Sequence, residues 1–541
     1  MPVPRGRIAI AAAGTLALVL GAAAFAGCGS SNHGAPSTTA DAAPSSSFDA
    51  TAPGSDAADA SDGGDSGLPT EVTFPADFLW GTATAAFQVE KDDSNTDWAA
   101  WAATPGKISN GDNPNDGGDD ALEHIAGDVA LMASEGLNAY RFSIEWARLY
   151  PTQAAFDADQ PDPAAVAAYD GLIQALVAAH ITPMVTLLHY ALPNWLDDAL
   201  DGGSPEGWEN QVTSDDFVLF CQRMGTRWGK NVDYWITLNE PINVMLGGYL
   251  QGSFPPGIYI DFDRTFAGIR AEARAHAKCY DALHAADTTD ADGDGKAALV
   301  SYAAHMRTYH PYDPTDPNDI AAAARVKYLA NDWFLNAVVK GNWDDGFDDY
   351  DGGYNGPNDA VGDPSLIGRL DYVGVNYYSD TLISASQGLV LPVINAAIYQ
   401  ANLPTKRPKT DFEWDIYPEG FGTVLDEAAG YGLPIIVTEN GVADRNDVMR
   451  GRFLAEHLLQ LGAANGRGDD VRGYFHWSFL DNFEWNSGFC PKFGLHAVEP
   501  STGARTARAS ANLYSSIIRS GKLTQAQIDA LPPYGAPTFC E

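Results

Sequence analysis

Two glutamates stand at the polar ends of short β-rich runs. Glu240 lies in the segment Thr-Leu-Asn-Glu-Pro at 237–241, and Glu439 lies in Val-Thr-Glu-Asn-Gly at 437–441. Two carboxyl groups on opposite sides of a cleft can divide their work, because one protonates a leaving oxygen while the other attacks or stabilises the anomeric carbon. A gap of about 5–5.5 Å between them favours a covalent intermediate, whereas a wider gap admits water. The pair therefore indicates cleavage of a glycosidic bond.

Further polar and aromatic side chains follow the other β-rich runs. A single carboxylate at a strand end is usually solvated or caps the next helix, but convergence of so many groups on one mouth points to a ligand. Sugar hydroxyls need several hydrogen-bond partners, and the apolar face of a sugar ring stacks on indole. The set therefore favours a sugar-binding pocket. Its members are Gln88, Glu90, Arg141, His189, Asn239, Asn376, Tyr377, Tyr378, Trp477, Asp481, Asn482, Glu484 and Trp485.

The elements that carry these residues alternate between short β-rich runs and longer helical stretches, which predicts βα units and a parallel sheet. Eight such units closing on themselves form an α/β fold of the (β/α)8 TIM-barrel type, with the active site at the carboxyl ends of the strands. Apolar residues at helical spacing predict a helix over 120–135 that ends before Gly136. The barrel is expected to occupy residues 70–541. The predicted strands are 78–84, 138–146, 182–190, 232–241, 296–305, 372–379, 434–441 and 471–479.

The first 27 residues read as a signal peptide, because Arg5 and Arg7 precede an uncharged apolar run at 8–25. A membrane-spanning helix is the rival interpretation, but Gly and Ala dilute the run. The following Phe-Ala-Gly-Cys resembles the lipobox of bacterial lipoproteins, which implies lipidation of Cys28; an ordinary secretory signal is the alternative. Residues 28–69 are rich in Ser, Ala and Asp and predict a flexible tether. The expected location is therefore outside the cytoplasm, lipid-anchored at the bacterial cell envelope.

Composition bounds the partners of the 541-residue chain. Hydrophobic residues make up 45%, so a large core can form, and 71 acidic against 32 basic residues give a net charge of −39. Such a surface repels phosphate backbones and excludes nucleic acid as a good partner. Four cysteines beyond Cys28 allow two disulfides in three connectivities, or free buried thiols. They are Cys221, Cys279, Cys490 and Cys540.

Read together, these segments resemble glycoside hydrolase family 1, the β-glucosidase and β-galactosidase family. The resemblance implies that Glu240 is the general acid/base and Glu439 the nucleophile of a retaining mechanism that needs no metal and no organic cofactor. It further implies that three residues surround the nucleophile, namely Arg141, Asn376 and Tyr378. Sugar-binding roles are implied for Gln88, His189, Asn239, Tyr378, Trp477, Glu484, Trp485 and Phe493. The matching segments run in order through 74–84, 140–144, 237–241, 371–378, 437–441, 473–485 and 493–495.

Electrostatics adds an expectation about protonation. A cation and a phenol beside Glu439 would keep that carboxyl ionised, whereas a facing carboxylate should raise the pKa of Glu240. Family members that act on phosphorylated sugars replace the glutamate corresponding to Glu484 with a small residue, so an unphosphorylated sugar is predicted. Tyr190 stands where many members have Trp or Phe, which predicts an altered leaving-group side.

The predicted activity is therefore hydrolysis of terminal β-D-glucosyl residues, with galactosyl and fucosyl residues as further candidates, from oligosaccharides or aryl and alkyl glycosides. A transglycosidase on the same scaffold and a catalytically inactive sugar-binding lipoprotein are the alternatives. Small carbohydrates are the expected partners, and membrane contact is expected only through Cys28.

One acidic loop has the spacing of a calcium site. Asp290, Asp292 and Asp294 alternate before Gly295, but the twelfth position is Ser301 instead of the usual bidentate glutamate. A solvated acidic turn is the prediction and a bound calcium ion the alternative.

Overall fold

The computed structural model describes residues 69–116, 118–197, 207–347, 355–358, 362–387, 397–399 and 407–540. The predicted signal peptide, Cys28 and the tether as far as residue 68 lie outside the described residues, so those interpretations stay predictions.

Eight parallel strands form a closed barrel in chain order, and the last strand pairs with the first through Gly473 and Leu79. Each strand lies inside the run predicted for it, which confirms the (β/α)8 architecture. The shared direction brings all eight carboxyl ends to one mouth. The strands are β1 (Leu79–Ala83), β2 (Ala139–Ser143), β3 (Thr182–Leu188), β4 (Tyr234–Asn239), β5 (Leu299–His305), β6 (Val373–Tyr377), β7 (Ile435–Asn440) and β8 (Val471–Trp477).

A main helix follows each strand, because parallel neighbours can only be joined by a crossover that returns the chain to the other end of the barrel. These helices are α1 (Ile125–Glu135), α2 (Pro163–Ala178), α3 (Gln211–Trp228), α4 (Phe262–Ala286), α5 (Pro317–Lys327), α6 (Pro418–Ala429), α7 (Arg450–Arg467) and α8 (Ala509–Ser520).

The helix predicted over 120–135 is correct at its end and wrong at its start. Gly136 has a φ of 88° and ends α1 in the left-handed conformation that glycine adopts without strain. Asp120, however, has a φ of 51°, and only a short 3₁₀ turn, Ala121–Glu123, separates it from α1. A left-handed residue cannot continue a right-handed helix, so the first turn of the prediction is lost.

Acidic side chains begin several of the barrel helices. The Asp162 carboxylate accepts hydrogen bonds of 2.9 Å from the backbone N–H groups of Ala164 and Ala165, and Pro163 occupies the first turn of α2. Asp316 caps α5 in the same way. Part of the acidic excess of the chain thus stabilises helix N-termini, whose free N–H groups favour negative charge.

The barrel interior is a packed core. Close packing explains Gly81 on β1, because a Cβ there would lie 2.3 Å from the Phe475 ring. One buried cluster takes side chains from seven of the eight strands, among them Ala83, Ala139, Met184, Ile236, Leu299, Ala303, Ile436, Phe475 and Trp477.

Two disulfides form. Cys221 on α3 bonds to Cys279 on α4 with the Cα atoms 5.6 Å apart, and Cys490 bonds to Cys540 with the Cα atoms 5.8 Å apart. The alternative of free buried thiols was therefore wrong. Each cross-link stabilises the fold by roughly 2–4 kcal/mol, because it restricts the unfolded chain.

Shorter elements fill the connections. Within the described ranges, no helix combines the length and the apolar character needed to cross a membrane. The short strands are Val72–Thr73, Thr308–Pro311, Asp380–Ser384, Ala397–Tyr399, His496–Glu499, Ala504–Ala507 and Lys522–Leu523. The short α- and π-helical segments are Ala86–Val89, Asp97–Ala102, Trp146–Leu149, Gln153–Asp157, Pro241–Met245, Leu246–Leu250, Tyr328–Asp332, Trp333–Leu335, Asn336–Lys340 and Gln525–Asp529; the 3₁₀ turns are Ser109–Gly111, Ala121–Glu123, Gly207–Glu209 and Trp485–Ser487.

Candidate active site

A pocket of about 640 Å³ opens at the carboxyl ends of the barrel strands. Its lining mixes aromatic rings with polar groups, as small-molecule sites do. Most of the predicted site residues line it. The lining residues are Gln88, His189, Tyr190, Asn239, Glu240, Asn243, Phe254, His305, Tyr378, Phe412, Trp414, Glu439, Trp477, Glu484, Trp485, Asn486, Ser487 and Phe493.

Glu439, on β7, is held by a cation and a phenol. Arg141 Nη1 lies 2.6 Å from Oε1, and the Tyr378 hydroxyl donates a 2.7 Å hydrogen bond to Oε2. All three side chains are at least nine-tenths buried. Next to the carboxylate, Gly441 permits the close approach of Trp477, because a Cβ at Gly441 would lie 1.8 Å from the Trp477 carbonyl oxygen. The arrangement stabilises a negative charge in a fixed position.

A second layer of hydrogen bonds fixes that arrangement from below. Arg141 also donates to Asn239 Oδ1 at 2.6 Å and to the Thr186 hydroxyl at 3.0 Å. Asn376 Nδ2 donates to Asn239 Oδ1 at 3.1 Å, and the Thr438 hydroxyl donates to Asn376 Oδ1 at 2.7 Å. Arg141 and Asn376 thus lie behind the pocket wall, as the implied positions around the nucleophile require.

Glu240 occupies the other side of the pocket and has amide and phenol neighbours. Asn376 Nδ2 donates to Oε1 at 2.8 Å, and the Tyr190 hydroxyl donates to Oε2. The Asn243 side-chain amide lies 2.8 Å from the same Oε2 and also contacts Nδ1 of His305. Within the described part of the chain, His305 is the one basic group within 4.0 Å of this carboxylate, with Nδ1 3.8 Å from Oε2.

Three pocket residues have a left-handed backbone. Glu240 has a φ of 46°, Tyr190 of 69° and Trp485 of 51°. Glu240 turns the end of β4 into the helix Pro241–Met245. Such conformations cost about 1–3 kcal/mol each for residues other than glycine and are concentrated at functional sites.

The pKa of Glu439 is high. Burial raises it to about 7, although the charge of Arg141 and the hydrogen bond from Tyr378 lower it, and the nearby Glu240 charge raises it again. Desolvation therefore outweighs the cation.

The pKa of Glu240 is shifted the other way. Burial raises it, but the charge of protonated His305 and the hydrogen bonds of three side chains together bring it below its ordinary value. With His305 protonated and Asn243 donating, the pKa of Glu240 thus lies below that of Glu439, the reverse of the expected order. The sequence showed the facing carboxylate but not the donors at Glu240, which are Tyr190, Asn376 and Asn243.

Gln88 and His189, which line the pocket, each have one buried polar atom without a partner among the described residues. Gln88 Nε2 donates to the Phe483 carbonyl at 2.6 Å, which leaves Oε1 buried with no partner among the described residues. Burial holds the pKa of His189 well below its usual range, so the ring is neutral. Because Asn239 Nδ2 donates to its Nε2 at 3.1 Å, its proton is on Nδ1, which likewise has no partner in the described ranges. The site thus offers one acceptor and one donor to a ligand.

Aromatic rings and a carboxyl group complete this part of the pocket. The His189 ring stacks on Trp477 and on Trp485, with interplanar angles of 22° and 13°. Trp477 Nε1 donates to Glu484 Oε1 at 3.3 Å, and burial raises the pKa of Glu484 well above its usual value. Flat indole faces beside hydrogen-bonding groups are the surface that a sugar ring requires.

Besides Arg141 and Asn376, which lie behind its wall, and Tyr377, three polar residues that the strand-end pattern singled out do not line the pocket. Glu90 is buried against Arg148 at 2.9 Å, and Asp481 pairs with Arg508 at 2.7 Å. Asn482 lies behind Gln88, and its Oδ1 accepts a 3.2 Å hydrogen bond from Gln88 Nε2. All three support the fold around the site.

Conversely, the pattern missed residues that the structure brings to the site. Asn243 follows Glu240 by three positions on the short helix, a spacing that places both on one side of it. His305 ends β5, so the strand-end rule applied to that strand would have found it. Phe254, Phe412 and Trp414 come from long loops, where the sequence has no periodic signal.

Asp233, which is not part of the acidic loop after α4, lies beside the carboxylates of that loop. One carboxylate oxygen each from Asp233, Asp290 and Asp292 lie within 4.8 Å of one another. The carboxylates also accept backbone N–H groups of the same loop, for example Asp292 N to Asp233 Oδ2 at 2.8 Å and Gly295 N to Asp290 Oδ2 at 2.9 Å. The solvated turn stays the prediction.

Known proteins resemble this chain over nearly all of the barrel. The family model described as glycosyl hydrolase family 1 matches residues 70–523. A β-galactosidase from Pyrococcus woesei is 32% identical over 511 residues, covering 84% of this chain and 98% of the relative. A 1,4-β-D-glucan glucohydrolase from Thermotoga neapolitana is 31% identical over 473 residues, covering 83% and 99%. A Thermotoga maritima family 1 glycoside hydrolase complexed with a cyclophellitol analogue transition state mimic has a TM-score of 0.73 at 29% identity, covering 84% of this chain and 100% of that one.

Proposed function

The chain belongs to glycosyl hydrolase family 1 and is a β-glucosidase-type glycoside hydrolase, and from this premise we propose that it removes terminal β-D-glucosyl residues with retention of configuration. Glu439 is the nucleophile and Glu240 the general acid/base. The observation that carries the proposal is the asymmetric support of two carboxyl groups in one pocket. Glu439 has the Arg141 guanidinium at 2.6 Å and the Tyr378 hydroxyl at 2.7 Å, whereas Glu240 has neutral donors, the amides of Asn376 and Asn243 and the Tyr190 hydroxyl.

The first step forms a covalent intermediate. An oxygen of ionised Glu439 attacks the anomeric carbon, and the glycosidic C–O bond breaks as Glu240 gives its proton to the leaving oxygen. The leaving group departs as an alcohol, and the sugar stays bound to Glu439 as an ester. Arg141 and Tyr378 favour this step because they lower the pKa of the attacking carboxyl group and hold it in place.

The second step releases the sugar. Glu240, now a carboxylate, takes a proton from a water molecule, whose oxygen attacks the anomeric carbon and displaces Glu439. Two inversions at one carbon give the original β configuration. The acceptor on Gln88 and the donor on His189 are free to bind sugar hydroxyls in both steps.

The sugar is proposed to be unphosphorylated. Glu484 lies at the sugar end of the pocket, only 9% exposed and bonded to Trp477. An acidic group there disfavours a 6-phosphate and offers oxygens to hydroxyls instead. The activities of the relatives named above, a β-galactosidase and a 1,4-β-D-glucan glucohydrolase, support both glucosides and galactosides as substrates.

A panel of aryl β-glycosides tests the activity. The purified full chain is mixed with each of the glucoside, galactoside, fucoside and glucoside 6-phosphate, and the first sugar product is followed by NMR. We expect β-glucose as the first product, β-galactose more slowly, and negligible turnover of the phosphorylated substrate. An α-anomer as first product would overturn retention, and preferred hydrolysis of the 6-phosphate would overturn the role of Glu484. Glu439→Gln, prepared in parallel, gives the background.

The location at the cell envelope is also a proposal. It is supported by the basic start, the apolar run at 8–25 and the Phe-Ala-Gly-Cys segment that ends at Cys28. Expression of the full chain in a bacterial host should place the activity in the membrane fraction and in the detergent phase. Cys28→Ser should move it to the soluble fraction, and equal partitioning of both chains would contradict lipidation.

A further inference from the structure

A chain of three side chains reaches the Oε2 atom of Glu240 from behind the pocket wall. Arg307 Nε lies 3.0 Å from Nε2 of His305, whose Nδ1 contacts the side-chain amide of Asn243. That amide lies 2.8 Å from Glu240 Oε2. We propose that Arg307, His305 and Asn243 are positioning residues that hold the catalytic proton on Oε2 of Glu240. The inference rests on the proposed acid/base role of Glu240 and adds how that residue keeps its proton.

The direction of the hydrogen bonds along these three side chains is set at Arg307. A guanidinium can only donate hydrogen bonds, so Nε2 of His305 must accept from Arg307. The His305 side chain is 9% exposed, and burial lowers its pKa to about 4, so the ring is neutral near pH 7. A neutral imidazole that accepts at Nε2 has its proton on Nδ1. His305 therefore donates to Asn243.

The amide of Asn243 must then present its oxygen to His305. The nitrogen and the oxygen of an asparagine amide exchange places by a half-turn that leaves the shape of the side chain unchanged, and the hydrogen-bond network decides between them. A donor at His305 Nδ1 requires Oδ1 opposite it. The atom that contacts His305 is the one that lies 2.8 Å from Glu240 Oε2, so Asn243 also presents an acceptor to the carboxyl group.

Two acceptors cannot share a short contact without a proton between them. The carboxyl group therefore has its proton on Oε2, directed at Asn243, while Oε1 accepts from Asn376 and the Tyr190 hydroxyl donates to a remaining lone pair of Oε2. When a glycosidic oxygen lies beside Oε2, it is the competing acceptor for the same proton. The ionised form of Glu240 is penalised, because its charge then faces the oxygen of Asn243.

Other ionisable groups face Glu240 from several sides, but they do not replace the effect of the Asn243 oxygen on the ionised form of Glu240. The lowered pKa of Glu240 described above requires a charged His305 and an Asn243 that donates to the carboxylate. The hydrogen bond from Arg307 to Nε2 of His305 opposes both conditions. The groups that face Glu240 are His305 at the end of β5, Tyr190 after β3, Glu439 on β7 and Tyr378 after β6, with Arg307 behind His305.

Replacing either Asn243 or His305 should shift the alkaline limb of the pH profile of kcat/KM. That limb reports the pKa of the acid in the free enzyme. Asn243→Leu replaces the amide with an apolar group of similar shape. We expect the limb to move down by about one pH unit, which gives about a tenfold loss at pH 8 on a substrate with a poor leaving group such as phenyl β-glucoside. The loss on 2,4-dinitrophenyl β-glucoside should stay below about twofold, since that leaving group needs no proton.

His305→Phe is the second variant. It removes the donor at Nδ1, so the Asn243 amide is free to turn its nitrogen toward Glu240 and stabilise the carboxylate. We expect a downward shift at least as large as that of Asn243→Leu. Asn243→Asp should move the limb upward, because a second carboxylate beside Glu240 disfavours ionisation. Asn336→Leu, an amide outside the pocket, is the matched control and should not move either limb.

The outcomes separate this inference from the proposed function. Azide rescue of Glu240→Ala on the activated substrate tests the acid/base role by itself. Suppose that rescue succeeds but the alkaline limb is unchanged in both Asn243→Leu and His305→Phe, or moves upward. The positioning role of Arg307, His305 and Asn243 is then wrong, and the proposed function is unaffected. If rescue fails, the acid/base role of Glu240 is wrong, and so is the positioning role of the three residues behind it.

Discussion

The two carboxyl groups of the site are supported by different kinds of neighbour. Glu439 has a guanidinium on one oxygen and a phenol on the other, and both supporting residues stand on or just after barrel strands, Arg141 on β2 and Tyr378 after β6. Glu240 has amides on both oxygens and the Tyr190 hydroxyl on Oε2, and in the described ranges the basic group nearest to it is His305, at 3.8 Å. The first set of neighbours stabilises a charge, whereas the second can hold a proton.

This difference shows how one pocket gives two identical side chains opposite tasks. Arg141 beside Glu439 is buried and bonded to Asn239, which also accepts from Asn376, so the nucleophile has little freedom. Around Glu240, the orientation of the partly exposed Asn243 amide depends on its contact with His305. A stabilised nucleophile and a group that gives and then takes a proton are the two requirements of a double-displacement reaction.

Loss of the nucleophile should have the largest effect. Glu439→Gln keeps the shape of the side chain but cannot form the ester, so we expect kcat/KM to fall by on the order of 10⁵ on every substrate, including activated ones. Steady-state kinetics on dinitrophenyl and phenyl glucosides checks this. A variant that keeps more than about 1% of wild-type activity on either would show that Glu439 does not attack the sugar.

Loss of the acid/base should be smaller and should depend on the leaving group. Glu240→Ala should lower kcat/KM by about 10²–10⁴ on phenyl β-glucoside and much less on dinitrophenyl β-glucoside. Added azide should speed the activated reaction and give the β-glycosyl azide, since it enters from the face that Glu240 has vacated. An α-azide from this variant would mean that the two roles are exchanged.

Glu484→Ser tests the sugar side, which belongs to neither carboxyl environment. The loss of hydrogen bonds to hydroxyls should lower kcat/KM for glucosides by about 10–100-fold while both limbs of the pH profile stay in place. The exposed Glu499→Ser is the control. Unchanged kinetics would remove Glu484 from the pocket, and a shifted limb would show that it acts through the catalytic pair.

Tyr378→Phe should have the smallest effect and acts on the nucleophile side alone. The nucleophile must be ionised, so activity is lost as the pH falls through the pKa of Glu439, which is about 7. Loss of the phenol removes a hydrogen bond that lowers this pKa, so the acidic limb should move upward with about a tenfold loss near pH 6. Tyr377→Phe, whose hydroxyl bonds the Tyr417 carbonyl at 2.7 Å, is the matched control. A downward shift would contradict the charge-stabilising role of Tyr378.

The fold could be predicted closely from the sequence, because β-rich runs and helical spacing repeat eight times in the order that a barrel requires. Each strand boundary lies within the predicted run. The start of α1 could not be predicted, since the left-handed turn at Asp120 has no marker as strong as the glycine at 136. The disulfide pairing could not be chosen either, because it depends on which helices pack side by side.

For the site, the sequence predicted the residues but not their protonation. Strand-end placement and the family resemblance brought Gln88, His189 and Trp477 to one pocket with the two glutamates. Asn243 and His305 were missed, although one follows Glu240 by a helical spacing and the other ends β5. The order of the two pKa values depends on burial and on which end of an amide faces a carboxyl group, and neither is visible before the chain is folded.

The covalent intermediate on Glu439 tests the central claim most directly. A 2-deoxy-2-fluoro β-glucoside with a dinitrophenyl leaving group should react once and stall, because the electron-withdrawing fluorine destabilises the cationic transition state of hydrolysis. After proteolysis, mass spectrometry should find one sugar on the peptide that contains Glu439, in proportion to the activity lost. A sugar on the peptide that contains Glu240 would contradict the account.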